Sequence, residues 1–269
     1  MKKAVILARG LGKRMRAADP SAVLSPQQAV AAASGSKAMI QFASRPFLDY
    51  VLSGLADGGI RELCLVIGPE HAEMRDYCDH LRTDRIQIEF AIQREPLGTA
   101  DALLCAEGFT AGEFFLSLNS DNLYPVAAHK ALKDLNAPGL PAFELDALVR
   151  NSNIPRERFA SYALLEVDAD GFLRRIIEKP DAATFAAWPA PKFLSANLWS
   201  FGPRIFEACR QVAPSPRGEL ELPLAVQFAL SNLGERFRVL QFHEGILDLS
   251  SRADVSTVAA RLAGVDVNL

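Results

Sequence analysis

The chain has 269 residues, 49% of them apolar and 23% charged, the balance of a globular protein with enough apolar side chain to bury a sizeable core. Its formal net charge is −3 and its pI is near 5.9. A general nucleic-acid binder would carry a basic surplus, so that class is set aside, and phosphate binding must come from a few local cations.

Met1-Lys2-Lys3 leads into the apolar run Ala4–Ala8, stopped by Arg9. Such a run is too short for a signal-peptide core or a membrane span and suits a buried strand. With no longer apolar run downstream, the reading is a cytoplasmic protein with no membrane partner. Helical patterns at Pro46–Ala56, Glu70–His80, Ala100–Glu107 and Ala127–Leu135 alternate with strand patterns at Glu62–Ile67, Ile86–Ile92 and Glu113–Leu118. This alternation predicts an α/β protein with a mixed, mostly parallel central sheet covered on both faces, and ligands beyond the carboxyl ends of the strands.

The second half reads as strands at Phe143–Val149, Tyr162–Asp168, Phe172–Ile177 and Phe193–Phe201, with Asp170-Gly171 as a hairpin turn. Helices follow at Arg204–Val212 and Leu220–Leu233, then short strands at Phe237–Gln241 and Ile246–Asp248. A last helix runs to Leu262, with Ser250-Ser251 able to cap it. Residues Ala17–Ser36 are rich in Ala, Ser and Gln, and only Val23, Leu24 and Val30 could anchor them. They predict a mobile lid, with a short helix at Pro26–Ala33.

The cysteines (Cys64, Cys78, Cys105, Cys209) and histidines (His71, His80, His129, His243) are scattered, with no Cys-x-x-Cys. They suggest neither a zinc site nor a disulfide framework. Chemistry concentrates elsewhere. After the first strand comes Leu7-Ala8-Arg9-Gly10-Leu11-Gly12-Lys13-Arg14-Met15. Glycines let backbone N–H groups approach phosphate oxygens, and Arg14 can hold those oxygens bidentately. Met15 stands where a dinucleotide fingerprint needs a third glycine, and no Gly-Lys-Ser/Thr follows, so neither an NAD loop nor a Walker loop fits. Gln93-Arg94-Glu95-Pro96-Leu97-Gly98-Thr99-Ala100 ends a strand and opens a helix. There the Gln93 amide can read a base edge with donor and acceptor together, and Gly98 permits close approach to the base. Asp121, in Asn119-Ser120-Asp121-Asn122, places a carboxylate at a strand end, a natural hard ligand for Mg²⁺.

These motifs resemble those of the sugar-phosphate nucleotidyltransferases over positions 3 to about 255. Leu7–Met15 is similar to the loop Leu-Ala-Ala-Gly-x-Gly-Thr-Arg-Leu/Met, with Arg9 and Lys13 departing from it. Lys37 in Ser36-Lys37-Ala38-Met39 resembles the family's Pro-Lys-Pro lysine, without either proline. Gln93–Ala102 has the spacing of the Gln-x-x-x-x-Gly-Thr/Leu-Ala box. Ser120 replaces the glycine of Gly-Asp-Asn. Ile177-Glu178-Lys179-Pro180 resembles the Glu-Lys-Pro box, Tyr162-Ala163 sits where the family has Tyr-Gly, and Asn197 replaces a glycine in Ser195–Trp199. Ile246-Leu247-Asp248-Leu249-Ser250-Ser251 resembles Trp-x-Asp-x-Gly-Thr.

The resemblance implies a Rossmann-like nucleotidyltransferase fold in one domain, 1–269, with 1–135 mainly nucleotide-binding and 136–269 mainly sugar-phosphate-binding. It implies NTP and sugar 1-phosphate as partners, no nucleic acid, and Mg²⁺ as cofactor; homo-oligomerisation stays open. Leu7, Ala8, Gly10, Gly12, Gln93, Gly98 and Thr99 would bind the nucleotide. Glu178, Lys179, Tyr162 and Asn197 would bind the sugar phosphate. Asp121 and Asp248 would share one metal ion, and Arg14, Lys37 and Lys179 would neutralise charge. Gln93 favours a pyrimidine base. Two other readings remain: a regulatory subunit that binds nucleotide sugar without turnover, and transfer of CMP to a non-sugar phosphate or an alcohol.

Overall fold

The computed structural model describes residues 1–269. A ten-stranded sheet forms its centre. From one edge the order is Leu173–Ile177, Ala163–Val167, Phe193–Ser195, Gly139–Glu144, Trp199–Phe201, Phe115–Asn119, Lys3–Leu7, Glu62–Ile67 and Gln87–Ile92. Arg238–Phe242 pairs in parallel with Gly139–Glu144.

The sheet is mixed, and its longest ladders are parallel. Lys3–Leu7 runs parallel to both Glu62–Ile67 and Phe115–Asn119, and Glu62–Ile67 parallel to Gln87–Ile92. Every antiparallel pairing of this sheet involves a strand of the second half, as in Ala163–Val167 with Leu173–Ile177, and Trp199–Phe201 pairs antiparallel with Phe115–Asn119.

Side-chain alternation explains the layering. Ala4 and Ile6 of the first strand point into one hydrophobic cluster, with Leu63, Leu65 and Ile67. Val5 and Leu7 point into a second cluster, with Cys64 and Val66. A strand apolar on both faces can be stable only with helices on both sides, which is why these runs are continuous in sequence. Phe47–Asp57 and Val126–Leu135 cover the first face, and Thr99–Leu104, Arg204–Gln211 and Leu222–Asn232 the second.

Three of the expected strand and cap assignments need correcting. The strand expected at Phe143–Val149 ends at Glu144, and Leu145–Asn151 is a helix. Pairing with Arg238–Phe242 fixes the strand at residues 139–143, and Leu145, Ala147 and Leu148 are buried by the helix instead. The strand expected at Phe193–Phe201 is interrupted at Asn197, which adopts a left-handed φ of 59°. Ser250 and Ser251 do not cap the last helix, Asp254–Leu262. Instead, the Asp254 carboxylate accepts hydrogen bonds from both serine N–H groups, at 3.0 and 2.7 Å.

The segment expected to be a lid is docked. Pro26–Ser34 is a helix with a reciprocal Ser25–Gln28 capping box, and Gly35 ends it in a left-handed conformation. Ala31 and Ala32 are buried in the main core. Arg16 donates to the Ser34 carbonyl at 2.6 Å, and Gln28 to that of Gln41 at 2.8 Å. Small residues anchor this helix, a role that a search for large apolar anchors overlooks.

Candidate nucleotide-binding site

A cleft of about 340 Å³ opens beyond the carboxyl ends of Lys3–Leu7, Gln87–Ile92 and Phe115–Asn119. The loop Leu7–Arg14, with Lys37, Gln93, Gly98, Thr99 and Asp121, lines it. Leu7, Ala8, Gly10, Gly12 and Arg14, expected at the site, are among the loop residues that line it. Chain segments far apart in sequence therefore meet where the parallel strands end.

The two loop glycines do different work. A Cβ on Gly10 would meet nothing within 4 Å, so its backbone is open to a ligand. A Cβ on Gly12 would come within 2.5 Å of the Gly35 carbonyl oxygen, and Gly12 has a left-handed φ of 59°. Gly12 thus seats the loop against the docked helix. Arg9 is held by Glu70 through two hydrogen bonds, at 3.1 and 3.3 Å. Arg14 is exposed and makes one long bond, 3.3 Å to the Ser250 hydroxyl.

Lys37 sits on a 3-10 turn, Lys37–Met39, directly after the docked helix. Its ammonium pairs with Asp121 Oδ2 at 2.6 Å, across 84 positions of sequence. Asp121 Oδ1 has no protein donor and its side chain is 21% exposed, so half of the carboxylate remains available to a hard cation.

Gln93 is buried, and its amide nitrogen donates to the Gly98 carbonyl at 3.0 Å and to Asp101 Oδ2 at 2.7 Å. The expected two-sided reading of a base edge is therefore reduced to one side: only Oε1 remains. Gly98 was expected to make room for a base, yet its absent Cβ leaves room for the Leu220 backbone, which such an atom would approach to 2.4 Å. Thr99 lines the cleft, but its hydroxyl accepts from the Leu222 N–H at 2.8 Å, at the start of helix Leu222–Asn232.

The residues expected on the sugar-phosphate side, Glu178, Lys179, Tyr162 and Asn197, do not line this cleft, and neither does Asp248. Lys179 pairs with Glu178 at 3.2 Å and lies 3.8 Å from Glu221. Burial pushes the Glu178 carboxyl above the usual range, and Lys179 pulls it part of the way back. Asn197 has its side chain free of protein hydrogen bonds at the strand break. Tyr162 donates its hydroxyl to Asp248 at 3.2 Å, and burial, then the Asp248 charge, pushes its titration well up.

Asp248 belongs to a closed network. Its Oδ2 accepts from Asn122 at 3.1 Å as well as from Tyr162, and its Oδ1 from Arg158. Arg158 also bonds Asp254 at 2.6 Å. The backbone N–H of Asp248 donates to Asn153 Oδ1 at 2.8 Å, and its carbonyl accepts from Asn153 Nδ2 at 2.8 Å. Asp248 and Asp121 are near neighbours through the pairing of Leu247–Asp248 with Asn122–Leu123, yet each carboxylate has its own cation. No group of three or more His, Cys, Asp or Glu side chains forms a ready metal cage. Asp121 keeps one oxygen free for a hard cation, whereas protein donors occupy both oxygens of Asp248.

Sequence reading missed segment 217–221. Glu219 lines the cleft, the Leu220 backbone bonds Leu97 and Ala100, and Glu221 pairs with Arg217 and faces Lys179. The charged run Arg217-Gly218-Glu219-Leu220-Glu221 was the available signal.

Residues 3–242 match the model of the nucleotidyl transferase family. The chain is 26% identical over 261 residues to the UTP–glucose-1-phosphate uridylyltransferase AglF of Haloferax volcanii, covering 97% of this chain and 96% of AglF. It is 26% identical to the low-salt glycan biosynthesis nucleotidyltransferase Agl11 of the same organism, over 86% of this chain but 57% of Agl11. A glucose-1-phosphate thymidylyltransferase of Streptomyces antibioticus is 28% identical, over 86% of this chain and 58% of that protein. The chain thus spans less than two thirds of the length of two of these relatives. A crystal structure of UDP-glucose pyrophosphorylase complexed with UDP-glucose superposes with a TM-score of 0.75, 17% identity and 98% coverage of both chains, which shows the shared fold.

Proposed function

From the premise that this chain belongs to the nucleotidyl transferase family, we propose that it transfers a nucleotidyl group from an NTP to a sugar 1-phosphate, giving an NDP-sugar and pyrophosphate. The observation that carries this reading is the convergence of Gly10, Arg14, Lys37, Gln93 and Asp121 on one cleft at the ends of parallel strands. A base-reading group, a backbone open to phosphate, two cations and a carboxylate are what a nucleoside triphosphate requires.

In this reading a sugar-phosphate oxygen attacks the α-phosphorus in line. A new P–O bond forms as the bond to the β-phosphate bridging oxygen breaks, and pyrophosphate carries the charge away. Arg14 and Lys37 hold the triphosphate and offset charge that builds on its oxygens. Lys179 and Glu178 receive the sugar phosphate, with Asn197 at the strand break as a further hydrogen-bonding group. A bound Mg²⁺, held by Asp121, would supply charge neutralisation at the α-phosphate. Asp248 holds the floor beneath Asp121 through Asn122. Residues 1–135 then serve mainly the nucleotide and 136–269 mainly the acceptor, with 217–221 tying one to the other. The need for NTP favours a cytoplasmic site for the reaction.

The test is pyrophosphate release from a panel of NTPs against sugar 1-phosphates, with Mg²⁺ and with chelator. Metal-dependent release with at least one pair is expected. Nucleotide binding without turnover for any acceptor would defeat the transferase reading.

A further inference from the structure

Gln93 sits at the end of strand Gln87–Ile92, and Asp101 in the first turn of helix Thr99–Leu104. The Gln93 nitrogen meets two groups at once, the Gly98 carbonyl and the Asp101 carboxylate. A carbonyl can only accept, and so can a carboxylate, so one amide orientation satisfies both. The flipped amide would face oxygen with oxygen at a buried position and lose two hydrogen bonds. Oε1 receives no protein hydrogen bond and is not sealed off from solvent, and Gln93 lines the cleft.

We infer that Asp101 is a positioning residue for base selection: it locks the Gln93 amide so that the cleft presents an acceptor alone to the base edge. This rests on the nucleotide reading above and deepens it. An acceptor pairs with the ring N–H of uracil, thymine or guanine. It opposes the bare ring nitrogen that cytosine and adenine carry at the same place. The selected class is therefore a nucleotide with a protonated ring nitrogen, and transfer of CMP is disfavoured. An unpaired acceptor facing a lone pair should lower affinity roughly tenfold or more.

The experiment is equilibrium titration of the full chain with UTP, CTP, GTP and ATP in the presence of Mg²⁺, for the wild type, Asp101→Leu and Asp101→Asn. The wild type should favour UTP over CTP and GTP over ATP, each size-matched pair by roughly tenfold or more. In Asp101→Leu, of the same branched shape but bulkier and without an acceptor, both ratios should shrink several-fold. Asp101→Asn, whose side-chain oxygen can still accept from Gln93, should keep them. A merely structural role would weaken all four nucleotides alike and leave the ratios unmoved, which would overturn the inference. So would a wild type indifferent to the ring N–H. Should Asp101→Leu not fold, Asp101→Ala takes its place: ratios that shrink several-fold support the inference, and unchanged ratios overturn it. Binding of none of the four nucleotides overturns the nucleotide reading and this inference with it; binding with unchanged ratios overturns the inference alone.

Discussion

The cleft and the Asp248 network lie side by side and treat charge in opposite ways. In the cleft, Arg14 has one long hydrogen bond, Lys37 one ion pair, Asp121 one open oxygen and Gly10 an uncovered backbone. Around Asp248, both carboxylate oxygens have donors, Arg158 bridges two acids, and Asn153 closes the backbone groups on either side. Partners left open are what a ligand completes; partners already closed hold a shape. The contrast separates groups expected to act on substrate from groups expected to support them, although both sets contain aspartate and a basic residue.

The largest effect should come from breaking the closed side. Arg158→Ala leaves the Asp248 and Asp254 carboxylates, both nearly buried, without their shared cation. Loss of about 3 kcal/mol or more is expected, read as a fall in Tm on the order of 10 °C. A Tm within about 2 °C of wild type would show that the network is not structural.

On the open side the order reverses. Lys37→Met should leave Tm nearly unchanged and lower kcat/KM roughly 10²-fold, about 2.7 kcal/mol of lost charge stabilisation. Unaltered kinetics with saturating and limiting NTP would remove Lys37 from the site.

Thr99 tests the border between the two. Because its hydroxyl accepts from the Leu222 N–H, Thr99→Val should cost about 1 kcal/mol of stability while NTP affinity stays within about twofold. A large loss of affinity at constant Tm would return Thr99 to direct nucleotide contact.

The smallest effect is a pH shift. The folded Glu178 carboxyl is raised above the ordinary glutamate value of 4.5, chiefly by burial. Its linkage stabilisation is therefore complete below pH 4.5 and is lost as pH rises through the folded value. In catalysis the same shift makes Glu178 neutral at a pH where an ordinary glutamate is still charged. The acid limb of the kcat/KM profile for sugar phosphate should begin above pH 4.5, and Glu178→Gln should remove that limb. An identical limb in the variant would assign it to another group.

Much of the architecture was legible because it rests on local chemistry. Runs such as Ala4–Ala8 and Glu62–Ile67 are apolar on both faces, and only a covered parallel sheet accepts them. A glutamine ending a strand, with a glycine opening the next helix, marks a turn toward the strand ends wherever the rest of the chain goes. The sequence by itself thus determined a parallel α/β half and the loops that surround its cleft, through periodicity, turn chemistry and chain-order motifs. What it left open were choices between partners. Nothing local tells Lys37 that Asp121 waits 84 positions away, or turns Asp248 toward Arg158. Nor could Gln93, read alone, reveal that Gly98 and Asp101 occupy its nitrogen. Tertiary structure decided these, because a side chain's free lone pairs and protons are what remains after every neighbour brought near by folding has taken its share.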